Sequence, residues 1–182
     1  NRTPVYAMPR MKTFLENNGP WSQLVNRENI AIKALKADSA IQLSGELKVI
    51  PLLVPHRDEF SETVGYKIQG PNKNALFIPD IDKWEKWETD IVEIVKTVDY
   101  ALLDATFYDA EEINNRDISE IPHPFVVESM RTFEPLSLAD RNKIYLIHFN
   151  HTNPLLRGDE LKMNEVEEYG FNIATAELVL SL

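Results

Sequence analysis

Cysteine is absent from this sequence of 182 residues, and its absence excludes two kinds of site. Without thiols the chain can form neither disulfide bonds nor thiolate metal sites. Any metal ion must therefore be held by histidine nitrogen, carboxylate oxygen or backbone oxygen. A chain without disulfides also suits a reducing compartment, and we predict a cytoplasmic location.

An excess of positive charge and long apolar runs are missing as well. Lysine and arginine number 19 against 29 aspartates and glutamates, which gives a net charge of −10. This charge opposes nonspecific binding to nucleic acid and to anionic membranes. No apolar run approaches the roughly 20 residues that a membrane span requires. We therefore expect neither nucleic acid nor a membrane as a partner.

The residues that are present have the balance of one globular domain. Hydrophobic residues make up 43% of the sequence and charged residues 26%, as in an ordinary folded protein. A chain of this length can bury one sizeable core, and no internal repeat or linker divides it. We predict a single domain over residues 1–182.

The order of the predicted elements indicates the α/β (α+β) class. Residues 3–9 predict a strand, and residues 10–19 predict a helix that ends at Asn18-Gly19. Two hairpins are predicted, one formed by "SAIQL" and "LKVIPLLV" and the other by "TVGYKI" and "NALFIPD". Further core strands are predicted at 99–107 and 144–147, and further helices at 83–98, 124–132 and 159–170.

Histidine is scarce, and its positions follow a pattern. All four histidines lie at the ends of predicted strands or the starts of predicted helices: His56, His123, His148 and His151. Three carboxylates occupy comparable positions: Asp80, Asp82 and Asp104. Loops at strand ends commonly present chemistry, because the sheet fixes their position while the loop exposes the side chain.

Two interpretations of these side chains stay open at this point. Histidine and aspartate from neighbouring strand ends would suit Zn²⁺, Mn²⁺ or Fe²⁺, with bonds of about 2.0–2.2 Å in a zinc site. The alternative is purely structural: histidines that cap loops, and Asp80 or Asp82 as the N-cap of the helix at 83–98. The spacing contains no dense ligand motif that would decide between them.

Several stretches resemble one known family. "VPHRDEFSETVGYKIQGPNKNALFIPDIDKW", "VDYALLDATFY", "EIPHPFVVESM" and "KIYLIHFNHTNPLL" are similar to the pyrroloquinoline quinone (PQQ) biosynthesis protein B family of the metallo-β-lactamase superfamily. The resemblance covers nearly all of residues 1–156. It implies a partial metallo-β-lactamase αββα sandwich and a metal-dependent hydrolase or oxidoreductase that acts on a small-molecule or peptide-derived substrate.

The resemblance also assigns metal ligands to three positions. His56, before "SETVGY", matches a histidine ligand, and His148, at the end of "KIYLIH", matches the final histidine ligand. Asp80, at the end of "ALFIPD", matches the aspartate that bridges two metals. The metals implied are zinc, or iron or manganese, in a two-metal site of the intact parent protein.

Four further residues receive supporting roles from the same resemblance. Asp104, in "LLDATF", and Asp82 would contact metal ligands rather than the metal, and Asp104 would orient a ligand histidine through its other ring nitrogen. His123, which opens "HPFVVES", would be a general acid, although a histidine packed between Pro122 and Pro124 at a helix start is an alternative. His151 would be a ligand, a hydrogen-bond partner of one, or a proton carrier.

One departure from the family is large. The principal metal motif of the superfamily, HxHxDH, does not occur in these 182 residues. We therefore expect the chain to be the C-terminal two-thirds of a longer protein, with metal weakly bound or absent and no activity of its own. A noncatalytic binding or scaffold module that keeps the fold without metals is the alternative. An exposed sheet edge would favour a homo-oligomer.

The acidic stretch at 109–120 separates Asp104 from His123. A run of this composition is usually a solvated surface, but its position would also suit a lid over the site. Both interpretations stay open.

Overall fold

The computed structural model describes residues 2–113 and 120–182, which form two β-sheets with helices around them. The small sheet pairs β1 (Thr3–Ala7) with β2 (Ile30–Ala34) in parallel. Between these strands the chain forms α1 (Pro9–Asn17) and α2 (Trp21–Asn26). This unit contacts the loop before β5 of the large sheet, where the Glu62 carboxylate accepts hydrogen bonds from the first amides of α1.

The large sheet has seven strands, and their spatial order is their order in the chain. Its strands are β3 (Ile41–Gln42), β4 (Lys48–Leu53), β5 (Val64–Gln69), β6 (Asn74–Ile78), β7 (Tyr100–Asp104), β8 (Ile144–Ile147) and β9 (Asn172–Ile173). Neighbours from β3 to β6 are antiparallel, and neighbours from β6 to β9 are parallel. Both predicted hairpins are therefore confirmed.

The parallel strands β6, β7 and β8 form the centre of the core. The apolar side chains on one face of these strands are fully buried, for example Leu76, Ile78 and Leu146. Side chains that alternate with them, such as Phe77 and Leu102, lie on the other face and are only partly buried. The remaining helices are α3 (Ile91–Lys96), α4 (Val126–Thr132), α5 (Leu138–Arg141), α6 (Pro154–Arg157) and α7 (Glu160–Tyr169).

The helix predicted at 83–98 is wrong in its first half. Residues Trp84–Lys86 form one short 3-10 turn, and the α-helix begins only after Asp90. The Asp90 carboxylate accepts hydrogen bonds from the amides of Val92 and Glu93, so it is the N-cap. The prediction of Asp80 or Asp82 as this N-cap is therefore wrong.

The helix predicted at 159–170 is confirmed, and glycine determines its end. Gly170 follows α7 with φ of +100°, in the left-handed region that glycine adopts without strain. A Cβ at this position would also lie 2.6 Å from Leu138 Cδ1, at the end of an exposed side chain that would have to shift.

Within the described ranges, no helix combines the length and apolar character needed to cross a membrane. The stretch at 109–120, with its two interpretations, lies partly outside the described residues. Its first part, Ala110–Ile113, is a 3-10 turn, and Glu112 there accepts a hydrogen bond from Thr152 Oγ1 at 2.9 Å.

Candidate metal centre

The direction of the strands brings the predicted site residues to one edge of the large sheet. Strands β6, β7 and β8 run in parallel, so their carboxyl ends lie at the same edge. Strand β4 runs the same way, because it is antiparallel to β5 and β5 is antiparallel to β6. The residues that follow these four strands therefore meet, as ligand sites commonly do at this edge.

Backbone hydrogen bonds hold the loops after these strands together. The Asp82 amide donates to the carbonyl of Pro55 at 2.7 Å, which joins the loop of Asp80 to the loop of His56. On the other side, the Asn150 amide donates to the carbonyl of Thr106 at 2.9 Å. The site residues are thus mounted on loops that are fixed to one another.

Four of the predicted side chains form one cluster, and His56 lies beside it, against Asp80. Asp80, Asp104, His123 and His148 each offer a nitrogen or oxygen atom, and these atoms all lie within 4.8 Å of one another. Only Asp104 is fully buried, and the His148 side chain is 44% exposed. The cluster is therefore open to solvent on the side of His148.

The Asp104 carboxylate is saturated with hydrogen bonds. Its Oδ1 accepts from the amide and the hydroxyl of Thr106, at 2.9 and 2.6 Å. Its Oδ2 accepts from His123 Nδ1 at 2.8 Å and from the Ile81 amide at 3.2 Å. Burial alone would raise the pKa of Asp104, but the hydrogen bonds from His123 and Thr106, together with the nearby His148, outweigh it and lower that pKa. A carboxylate has about four acceptor positions, so Asp104 has none left for a cation.

The pair of His56 and Asp80 has the opposite character. His56 Nε2 lies 2.9 Å from Asp80 Oδ1, yet the angles do not make a hydrogen bond. Both atoms are buried, and in the part of the chain that the structure describes neither has a hydrogen-bond partner. Two ligands of one zinc ion lie about 3–3.5 Å apart, given bonds of about 2.1 Å. A cation would therefore satisfy two atoms that the protein leaves unpaired.

His148 is held in an unusual backbone conformation. Its φ is +65°, in the left-handed region that costs a residue with a Cβ free energy. The nearby Asp104 carboxylate, 3.6 Å from His148 Nδ1, raises the pKa of His148 and outweighs the opposing effect of burial. Strain of this kind is frequent where a side chain must be aimed at a site.

His123 lies just before α4, and α4 is bonded to the residues that follow Asp80. Lys83 Nζ lies 2.6 Å from the Glu128 carboxylate, and Trp84 Nε1 donates to Ser129 Oγ at 2.9 Å. These contacts fix α4 against the residues that follow Asp80. His123 Nδ1 consequently lies 3.5 Å from Asp80 Oδ1 as well as close to Asp104.

Two predicted site residues lie elsewhere among the described residues. Asp82 accepts hydrogen bonds from the Lys83 amide and from Lys86 Nζ, at 2.7 and 2.8 Å. His151 is exposed, and its Nδ1 lies 3.0 Å from Asn150 Oδ1. Neither side chain joins the cluster, and their roles stay predictions.

Two residues of the site, Thr106 and Asn153, were not predicted from the sequence. Thr106 is buried, and its hydroxyl contacts Asp104, His123 and His148. The signal for it was the Asp-x-Thr spacing at the end of β7, in which an aspartate accepts from the amide two residues later. Asn153 is fully buried, and its side chain donates to the carbonyls of Ala105 and Thr106.

Replacing Asn153 with alanine should lower the free energy of unfolding by about 2 kcal/mol. Asn153 is fully buried, its Nδ2 donates to the carbonyl of Ala105 at 2.8 Å, and its Oδ1 caps α6 through the amide of Leu155. Alanine leaves the Ala105 carbonyl and the Leu155 amide without these hydrogen bonds. Urea unfolding would measure the loss. The matched control is Asn17→Ala at an exposed position, which should change stability by less than about 0.5 kcal/mol; equal losses would contradict the prediction.

Comparison with known proteins identifies the family of the chain. The family model described as the β-lactamase superfamily domain matches residues 1–149. Coenzyme PQQ synthesis protein B from Gluconobacter oxydans is 28% identical over 118 residues, which are 62% of this chain and 38% of that protein. Its counterpart from Nitrosococcus oceani is 24% identical over 136 residues, or 68% and 42% of the two chains. The chain thus spans about two fifths of the length of these curated relatives.

Solved structures show the same fold. The crystal structure of zinc-bound PqqB from Methylobacterium extorquens superposes with a TM-score of 0.81 at 18% identity, over 100% of this chain and 66% of that one. A diphosphatase from the PhnP family superposes with a TM-score of 0.65 at 21% identity, over 100% and 59% of the two chains. Identities this low are evidence for the fold alone.

Proposed function

Because the chain belongs to the β-lactamase superfamily, we propose that it provides part of a metal-dependent, hydrolase-like enzyme similar to coenzyme PQQ synthesis protein B. The observation that carries this proposal is the pair formed by His56 Nε2 and Asp80 Oδ1. Two buried polar atoms without hydrogen-bond partners among the described residues are costly unless a ligand satisfies them. The two atoms lie 2.9 Å apart, slightly closer than the roughly 3–3.5 Å between two ligands of one zinc ion, so a small shift of either side chain would accommodate the ion.

We assign the metal to His56, Asp80 and His148. Asp104 belongs to the cluster by distance, but its acceptor positions are filled, so it supports the histidines instead. These nitrogen and oxygen donors suit zinc, iron or manganese, and the crystal structure of PqqB from Methylobacterium extorquens contains bound zinc. We choose zinc for the tests.

The chain's own residues would then share the work of hydrolysis. Bound zinc would polarise a substrate oxygen and activate a water molecule. His123 is the proposed proton donor: its Nδ1 is held by Asp104, which leaves Nε2 to exchange a proton with the substrate. Substrates of this class would be small molecules or peptide-derived compounds.

We expect the affinity for zinc to be modest. The sequence contains no HxHxDH motif, so among the described residues the proposed site offers His56, Asp80 and His148. Three protein donors can hold a catalytic zinc. A complete two-metal site has further ligands, and this set of three lacks them. Iron and manganese should bind more weakly than zinc at the same donors.

Zinc titration against a chromophoric chelator tests the proposal. The wild-type chain should bind one zinc ion, and Asp80→Asn should weaken binding by more than the roughly 10- to 100-fold that loss of a ligand's hydrogen-bond partner costs. Hydrolysis of chromogenic phosphodiesters and esters with and without zinc measures the chemistry. Equal zinc binding by both proteins would refute the site. Turnover that requires zinc would exclude the noncatalytic module, whereas absence of turnover is expected of a chain that provides only part of the enzyme.

A further inference from the structure

The Thr106 hydroxyl has three polar neighbours and only one hydrogen to give. Its Oγ1 lies 2.6 Å from Asp104 Oδ1, 3.0 Å from His148 Nδ1 and 3.2 Å from His123 Nδ1. A hydroxyl donates one hydrogen bond and accepts up to two. If Asp104 receives this hydrogen, the two histidine nitrogens face lone pairs of the hydroxyl oxygen.

The hydrogen of Thr106 must point at Asp104. The buried Asp104 carboxylate already accepts hydrogen bonds at both oxygens, from the Thr106 amide at Oδ1 and from His123 Nδ1 and the Ile81 amide at Oδ2, so it faces the Thr106 hydroxyl as an acceptor. Two oxygens 2.6 Å apart with no hydrogen between them would repel each other strongly. The hydroxyl therefore donates to Asp104, and its lone pairs face the histidines.

A nitrogen that faces the lone pairs of Thr106 must carry a hydrogen itself. His148 Nδ1 has no short direct contact to Asp104, because the distance of 3.6 Å is long for a hydrogen bond. Its partner is Thr106 Oγ1, which lies 3.0 Å away. His123 differs, because its Nδ1 donates directly to Asp104 at 2.8 Å.

We propose that Thr106 is a positioning residue that fixes the tautomer of His148. The Thr106 hydroxyl accepts a hydrogen bond from His148 Nδ1–H and donates one to Asp104, so Asp104 orients the imidazole through Thr106. Neutral His148 then has a free lone pair on Nε2 only. The consequence for metal rests on the proposed function, because Nε2 becomes the nitrogen available to a cation. The tautomer itself does not depend on metal.

The test is NMR spectroscopy of the metal-free 182-residue chain with ¹⁵N-labelled histidine. Two-bond ¹H–¹⁵N correlations in alkaline buffer, where the ring is neutral, distinguish the Nδ1–H from the Nε2–H form. The His148→Asn variant assigns the signal. We expect His148 to be an Nδ1–H tautomer, Thr106→Val to shift its population towards Nε2–H, and Thr106→Ser, which keeps the hydroxyl, to restore the wild-type pattern.

Each outcome decides the proposal. An Nε2–H tautomer in the wild type overturns it, as does a Thr106→Val spectrum identical to that of the wild type. If Thr106→Val does not fold, the wild-type tautomer and the Thr106→Ser spectrum still decide. Added zinc should move the Nε2 signal of His148 and leave Nδ1–H in place. Loss of the Nδ1 proton on zinc addition would overturn the assignment of Nε2 to the metal, whereas failure of zinc to bind would refute the proposed function and leave the tautomer standing.

Discussion

Substituting Asp104 with asparagine should lower the free energy of unfolding by about 3 kcal/mol, although the two side chains have nearly the same shape. Four donors converge on the buried Asp104 carboxylate. An asparagine offers one acceptor oxygen, and its NH₂ group must face donors in place of the second oxygen. At least one donor, together with the new NH₂, is then buried without a partner.

Urea unfolding of the metal-free chain would measure this loss. Asp140→Asn is the matched control, because the Asp140 carboxylate also binds a hydroxyl and a charged side chain, those of Ser137 and Lys143, but in a more exposed setting. The control should lose less than about 1 kcal/mol. A similar small loss for Asp104→Asn would mean that the hydrogen-bond network does not stabilise the fold.

Replacing His148 with asparagine should weaken zinc binding by roughly 100-fold or more, beyond the effect of removing a ligand's hydrogen-bond partner. The substitution removes the imidazole but suits the backbone, because asparagine tolerates the left-handed conformation that His148 adopts with φ of +65°. The side chain is also 44% exposed, so little packing is lost. The fold should therefore remain while the metal site fails.

His151→Asn provides the control for this experiment. His151 lies three residues along the same loop, but it is exposed and its Nδ1 lies 3.0 Å from Asn150 Oδ1. Its substitution should leave zinc affinity unchanged within about a factor of two, a difference worth less than about 0.5 kcal/mol. Equal losses in the two variants would remove His148 from the proposed site, and a loss in His151→Asn alone would move the ligand there.

Much of the fold could be predicted from local signals. Turn residues placed both hairpins, and buried apolar runs placed β7 and β8. The resemblance to the PQQ biosynthesis protein B family of the metallo-β-lactamase superfamily is confirmed, and so is the fold class. The prediction of one helix over 83–98 failed in its first half. The apolar periodicity runs through the whole stretch, but Asp90 in its middle is the N-cap at which the α-helix begins.

The site, like the fold, could be predicted from the sequence only in part. Position after a strand identified the residues that the structure brings together, since strand direction places their side chains at one edge. Hydrogen-bond saturation could not be read from the sequence, because it depends on donors from distant segments, such as the Ile81 amide that reaches Asp104. The same limit concealed Thr106 and Asn153, whose partners lie up to 48 residues away.

The shared direction of β4 and β6 has a practical consequence for protein engineering. The turn between β3 and β4, around Ser44-Gly45, precedes β4 and so lies at the end of the sheet remote from the histidines. A Cβ added at Gly45 would meet nothing within 4 Å, so the turn has room around it. A fluorophore or an affinity peptide could therefore be inserted in this turn far from the histidines, because exposed turn tips generally tolerate insertions.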